Sequence, residues 1–135
     1  MPFLDRFREQ IYALLRIMSG LMFMLHGTMK LFGWPGENPP VELASLAGAA
    51  GVIEFITGLL ITIGLFAGIA AFIASGTMAV AYFIGHASGG FFPVINKGEL
   101  AVLYCFLFLY IASKGSGIWS VDQLFRIKSG RQEAR

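Results

Sequence analysis

The chain has 135 residues, of which 56% are hydrophobic and 13% charged, with ten Lys and Arg against eight Asp and Glu for a net charge of +2. A soluble domain carries roughly twice that share of charge, so an ordinary soluble protein is excluded; the small basic excess, lying mostly at segment edges, gives no ground for nucleic-acid binding. The single cysteine, Cys105, rules out an internal disulfide and a C-x-x-C redox pair.

Met1 to Gln10 is a charged lead-in with Asp5, Arg6, Arg8 and Glu9. A first apolar segment runs from about Ile11 to Phe32, longer than the roughly 18 residues that mark a membrane span. Arg6 and Arg8 before an apolar run imitate a secretory signal. The run is too long for one, however, and leads into His26-Gly27-Thr28-Met29-Lys30 with no small-x-small cleavage site, so an uncleaved first span is expected. Gly33-Trp34-Pro35-Gly36 breaks it, with Trp34 placed as an interfacial anchor, and Glu37-Asn38-Pro39-Pro40 completes a polar loop.

A second span is expected over about Leu43 to Leu65. Gly64-Leu65-Phe66-Ala67-Gly68 links it tightly to a third, about Ala67 to His86. Ser88 to Pro93 forms another loop, ending in Asn96-Lys97-Gly98-Glu99. The fourth span, Leu100 to Ala112, is short and borrows a turn at each end to cover about residues 98–113. From Ser120 to Ile127 the tail reads as an interfacial helix. Ser120 is its N-cap, with Gln123 three residues on as in a capping box. Val121, Leu124 and Phe125 would face lipid, and Arg126 and Lys128 headgroups. A frayed polar tail is the alternative.

The expected fold class is therefore all-α: an antiparallel four-helix transmembrane bundle with a short C-terminal amphipathic segment, forming one domain over residues 1–135. Four spans put both termini on one side. Arg6, Arg8, Lys114, Arg126, Lys128, Arg131 and Arg135 lie near the ends, whereas the two opposite loops offer mainly Lys97. By the positive-inside rule both termini are cytoplasmic.

Ionisable residues inside a membrane are expensive and mark function or pairing by default. With each span's midpoint at the bilayer centre, His26, Lys30 and Glu54 lie roughly 6, 12 and 3 Å toward the outer side, and His86 and Glu99 roughly 13 and 10 Å. Five ionisable groups from four helices thus gather in one half of the membrane. Arg16 alone lies inward, roughly 9 Å down, where it is expected to snorkel toward phosphate or to meet a helix-end carbonyl. Ala47, Gly51, Gly58 and Ile61 share the helical face of Glu54; Arg16, Gly20, Phe23, Gly27 and Lys30 form one stripe on the first span. Small residues mark faces where membrane helices approach closely, so these stripes point inward. Met78, Tyr82 and His86 form a ladder on the third span, with Ala67, Ala71, Ser75 and Ala79 on another face. A polar pocket opening outward is expected, with His26, Lys30, Glu54, Tyr82, His86 and Glu99 as candidate pocket and proton-relay residues.

Bland readings stand beside these. Glu54 paired with His26 or Lys30 could be a structural ion pair that fixes register. Tyr82 and Tyr104 suit packing, Glu99 and Lys97 suit interfacial charges, and Cys105 suits a packed thiol. No metal site is expected, since His26 and His86 differ in depth by roughly 7 Å and no H-x-x-x-H or E-x-x-H pattern occurs.

Taken together, Arg16, His26-Gly27-x-x-Lys30-Leu31, Gly51-Val52-Ile53-Glu54, Gly58-Leu59-Leu60, Gly64-Leu65, His86, Phe92-Pro93, Asn96-x-Gly98-Glu99-Leu100-Ala101 and Trp119-Ser120-Val121-Asp122 resemble the DoxX family of small four-span membrane proteins. Trp119 and Asp122 take structural or interfacial roles in this reading, as do Arg16 and Trp34. Phe66-Ala67-Gly68 departs from the family's frequent Thr-Arg after Gly-Leu and removes a cytoplasmic positive charge. The resemblance implies a bundle in the bacterial inner membrane and an association with quinone-linked oxidation or oxidative-stress assemblies; a quinone is the one cofactor it brings forward, and catalytic residues are not fixed. The first functional hypothesis is a membrane subunit of a quinone-linked oxidoreductase. Its pocket would take a quinone head group or small anion, with His26 and Glu54 moving protons. The second is a non-enzymatic anchor or assembly partner for a soluble enzyme. A transporter is the third, disfavoured without an inverted repeat unless the chain forms a homo-oligomer.

Overall fold

Four long helices form where the sequence runs apolar, and each stops where backbone chemistry changes. The computed structural model describes residues 1–126. Residues 127–135 lie outside it, including Ile127 and Lys128 of the expected tail helix and Arg131 and Arg135 of the terminal charge bias. After a single turn, α1 (Pro2–Asp5), the long helices are α2 (Arg8–Phe32), α3 (Leu46–Ile63), α4 (Ala67–Gly85) and α6 (Glu99–Lys114), with the short α5 (Pro93–Asn96) preceding the last. Residues 121–126 are helical again, and no strand occurs among the described residues.

The second helix starts at Leu46, three residues later than the apolar run implied. Ser45 caps it: its hydroxyl accepts from the Gly48 amide at 3.0 Å, satisfying a donor that the first turn leaves orphaned. The preceding loop folds back instead, with the Val41 amide donating to Lys30 O at 2.8 Å. At its other end α3 stops on Gly64, whose φ of +70° continues no right-handed helix.

Helices α2, α3 and α4 are each long and apolar enough to cross a membrane. Their outward faces are apolar: Leu14, Met18 and Met22 on α2, Ile56 and Leu59 on α3, and Phe72 and Val80 on α4 are all exposed, as are Leu103 and Phe106 on α6. The buried set, by contrast, includes Arg16, Ser19, Glu54, Thr57 and Ser75. An apolar exterior over a partly polar interior is what a hydrocarbon solvent selects.

In sequence order α2 packs on α3, α3 on α4 and α4 on α6. Phe23 draws α2 against α6, its ring 4.7 Å from that of Phe108 and 5.5 Å from that of Tyr104. Between α2 and α3 the backbones touch. A Cβ at Gly27 would sit 2.5 Å from Phe55 N, and one at Gly58 2.5 Å from Met24 N. Such contact replaces the hydrophobic drive that lipid cannot supply.

Where α3 ends, Arg16 ties the fold together. Of the two expectations for Arg16, snorkelling toward phosphate does not occur, since its side chain is fully buried, and the helix-end carbonyl is the one met. One terminal nitrogen donates to Ile61 O (2.5 Å) and Thr62 O (2.8 Å), the last carbonyls of α3, and the other to Trp119 O (2.8 Å) and Ile118 O (3.3 Å). Carbonyls at a helix C-terminus have no intrahelical donor and carry partial negative charge, so a guanidinium is suited to them on both counts. Asp122 completes the junction. Its carboxylate accepts from Phe66 N at 3.0 Å and Ser116 Oγ at 2.5 Å, and its own amide donates to Gly64 O at 3.1 Å. Ser120 caps the tail helix by accepting from the Gln123 amide at 3.2 Å, while the Gln123 side chain accepts from Trp119 N at 3.1 Å, one residue before the position a capping box uses. Trp34 and Trp119 are both exposed, near opposite ends of α2.

Arg16→Lys should therefore release the tail. A lysine offers point donors in place of a planar fork, and losing two of the charged hydrogen bonds is expected to cost at least about 2 kcal/mol. Thermal unfolding in mild detergent should fall by several degrees and tryptic cleavage after Lys114 should accelerate; unchanged melting and cleavage would refute the role assigned to Arg16.

Candidate functional site

At the opposite end of the bundle, where α2 and α4 finish and α3 and α6 begin, the helices enclose a cavity of about 240 Å³. Its polar lining is His26 and Lys30 from α2, Glu54 from α3, His86 after α4, Lys97 before α6 and Tyr104 from α6; Phe23, Met78 and Ala101 are among the apolar walls. At about 30 Å³ per liquid water, that space suits several waters or one small ring. It falls below the roughly 300 Å³ where drug-sized pockets begin.

Helical geometry explains the convergence. On α2 the spacing from Phe23 to His26 to Lys30 keeps all three on one face, and close contact at Gly27 brings that face onto α3. Glu54 is reached directly: Lys30 Nζ donates to its Oε1 at 2.6 Å. Glu54 is 3% exposed and Lys30 34%, so the carboxylate is the buried member and the lysine its link to the surroundings. His26 was an equal candidate partner by sequence. It makes no polar contact with Glu54 and instead sets its ring edge-on to Tyr104, with centroids 6.3 Å apart.

His86 is held by the loop beyond α4. Its Nδ1 lies 3.1 Å from Asn96 O; a carbonyl only accepts, so Nδ1 carries the proton and Nε2 of the neutral ring is left as an acceptor. Asn96 is the loop's organiser. Its side-chain nitrogen donates to Gly90 O (2.6 Å) and Tyr82 Oη (3.2 Å), and its Oδ1 accepts from Gly98 N (2.8 Å). The Tyr82 hydroxyl donates in turn to Phe91 O.

Of the six residues proposed for the pocket, the structure brings His26, Lys30, Glu54 and His86 around one cavity, and leaves Tyr82 and Glu99 outside its lining. Tyr82 is buried against the loop that positions His86. Glu99 shares the exposed stripe of Leu103, Phe106 and Tyr110 on α6, because Ala101 and Tyr104 take the inward phase. Two lining residues were assigned elsewhere by sequence, Tyr104 to packing and Lys97 to the interface. Tyr104 was findable, since it continues the buried Ala101, Phe108 and Ile111 stripe. Lys97 depends on a left-handed turn (φ 61°) after α5, for which the local sequence carries no periodic signal.

Two polar atoms inside this site have no hydrogen-bond partner among the described residues: Glu54 Oε2 and Tyr104 Oη, on side chains 3% and 5% exposed. Buried orphans normally cost about 1–3 kcal/mol each. Both belong to residues that line the same small space, together with two lysines and no second carboxylate. An oxygen-bearing polar group placed there could accept from Tyr104 or a lysine and, when protonated, donate to Glu54.

The ion pair makes a prediction with a direction. Lys30→Met strands a nearly fully buried carboxylate, whereas Glu54→Gln strands a partly exposed ammonium. The former should cost more stability, roughly 3 kcal/mol or above, and the double substitution should recover part of the loss. A double-mutant cycle by thermal unfolding in detergent reads the coupling; additive losses, or a larger loss from Glu54→Gln, would contradict this geometry.

Comparison with known proteins places the chain. The family model described as DoxX matches residues 11–87, from the start of the first long segment through His86. An uncharacterized protein of Haemophilus influenzae is 44% identical over 129 residues, covering 90% of this chain and 96% of that relative. No solved structure matches. The matched region holds α2, α3 and α4 together with Arg16, His26, Lys30, Glu54 and His86, and with a near full-length relative beside it, this chain is a membrane protein belonging to the DoxX family.

Proposed function

We propose that this protein is a single-domain integral membrane subunit of a quinone-linked oxidoreductase or oxidative-stress system, and that its cavity takes the oxygen-bearing head group of the quinone. In this reading α6 is the fourth span of an antiparallel bundle. Its sixteen residues rise about 24 Å, short of a typical span, and the loops at either end make up the difference. Both termini face the cytoplasm of a bacterial inner membrane, which turns the cavity outward, and electrons come from a soluble redox partner.

The observation that carries the reading is that Glu54 and Tyr104, whose Oε2 and Oη have no partner among the described residues, both line the cavity beside the Lys30–Glu54 ion pair. An unspent atom alone does not mark a site, since the structural junction at Arg16 also leaves Nε without a partner. What distinguishes Glu54 and Tyr104 is that they share a cavity with two lysines and two histidines. A quinone takes up protons as it takes up electrons. The His26 ring makes no hydrogen bond within the described residues and lines the same space as Glu54, and in this reading the two deliver or receive those protons; Lys30 and Lys97 would oppose negative charge developing on the ring oxygens. The rival reading, an anchor or assembly partner for a soluble enzyme, is favoured by the Arg16 and Asp122 junction, which stabilises the fold and offers no chemistry.

A short-chain quinone analogue should raise the unfolding temperature of the wild-type protein in mild detergent and leave Glu54→Gln unmoved; an equal shift in both, or none in either, would favour the anchor. Topology is checked separately. In a Cys105→Ser background, single cysteines at Glu37 and Ser88 should both react with an impermeant reagent added outside intact cells, and labelling of either only after permeabilisation would reverse the orientation.

A further inference from the structure

Next to the polar cavity lies a second hollow of about 520 Å³, an apolar groove between α3 and α4. The two share Ala81 and His86 in their linings, so the groove runs directly into the cavity wall. Its one hydroxyl, on Thr77, is already spent on Ile73 O at 2.9 Å, leaving the remaining surface to alkyl groups such as Ala50, Ile53 and Val80.

Two glycines of α4 line this groove, Gly76 and Gly85. Neither serves the fold: a Cβ built on either would meet nothing within 4 Å, and neither has the positive φ that would demand glycine. A glycine inside a helix costs about 1 kcal/mol relative to alanine, and at Gly27 and Gly58 close helix contact offsets that cost. At Gly76 and Gly85 nothing in the chain does. Their bare backbone is a surface on which something outside the chain can lie closely.

The cavity indicates what that is. Its orphaned Glu54 Oε2 and Tyr104 Oη call for an oxygen-bearing, protonatable head, and its excess of lysine over carboxylate complements a group that carries or develops negative charge. Such a head continuing into an apolar groove along lipid-facing helices is one end of an amphiphile. Resting on the quinone reading above, we infer that the α3–α4 groove binds the apolar chain of that membrane quinone, and that the head enters the cavity sideways from the bilayer past Ala81 and His86 rather than from water. A second copy of this chain seated in the groove would cover the glycines equally well, but would leave the two orphaned atoms unexplained.

The test uses the full-length protein in mild detergent and two probes with the same ring, a benzoquinone without a side chain and its ten-carbon-tailed analogue. Gly76→Leu adds side chain to the groove at a position whose Cβ would meet nothing within 4 Å, and an unfolding curve checks that the variant is folded; Glu54→Gln serves as the cavity control. At fixed detergent concentration Gly76→Leu should weaken the tailed quinone about tenfold, the scale of losing some ten van der Waals contacts. The tail-less quinone should bind it as it binds wild type. Equal affinities of wild type and Gly76→Leu for the tailed probe would overturn the groove and leave the cavity reading standing. Loss of a dimer in Gly76→Leu, seen by light scattering with both affinities unchanged, would likewise overturn it in favour of a second copy. Failure of both probes to bind the wild-type protein would overturn the quinone reading and this inference with it.

Discussion

A fully buried guanidinium organises the chain. In hydrocarbon every backbone carbonyl without a donor is costly, and a helix that stops leaves several such carbonyls exposed. Arg16 answers for Ile61 and Thr62 at the end of α3 and, with its other terminal nitrogen, for Ile118 and Trp119 in the tail. One side chain thereby fixes α2, the end of α3 and the return of the C-terminal segment. Asp122 adds the complementary charge, capping the amide of Phe66 where α4 begins. A helix entry with no capping side chain of its own is served by a residue 56 positions away.

With that end locked, the opposite end can be hollow. The close glycine contacts between α2 and α3 run from Gly58 through Gly27 to Gly51, whose Cβ would meet Lys30 and Leu31, and along this seam the helices carry Lys30 and Glu54 in place of apolar packing. Charged groups there would be destabilising if they faced lipid. Facing each other at 2.6 Å, they become a pair on the cavity's wall. The same helix–helix seam thus builds both the rigid part of the molecule and the wall of its candidate site.

Much of this was legible in the sequence. Long apolar segments gave the helices, and the stripes through Gly20, Gly27, Gly51 and Gly58 gave the α2–α3 contact face, because a helix repeats every 3.6 residues and small residues mark close approach. Depth arithmetic gathered His26, Lys30, Glu54 and His86 in one half of the membrane because rise per residue is nearly constant. What failed was rotation and return. Glu99 had the right depth on the wrong face of α6, and Tyr82 turned toward the loop. Lys97 was reachable only through a left-handed turn after α5. For Arg16 a helix-end carbonyl was one of two expectations, but its acceptors at Ile118 and Trp119 were hidden because they arrive through Gly115, Gly117 and Trp119, all at positive φ. Such a turn is set by packing of distant parts and leaves no periodic trace.

The two ends differ in what surrounds their unspent polar groups. Around Arg16 four carbonyls are taken up, Asp122 binds two donors and Ser120 caps its helix; Arg16 Nε and, earlier on the same helix, Gln10 Oε1 are left over. Glu54 and Tyr104, with an unspent acceptor oxygen and phenol, both line one small cavity together with two histidines and two lysines. Stability alone gives no preference for Glu54 and Lys30, since a buried pair roughly breaks even against packed apolar side chains, and it favours alanine at Gly76 and Gly85. All four residues border the cavity or the groove that joins it. Residues that the fold does not require, gathered in one connected space, are the ground on which the proposed binding site rests.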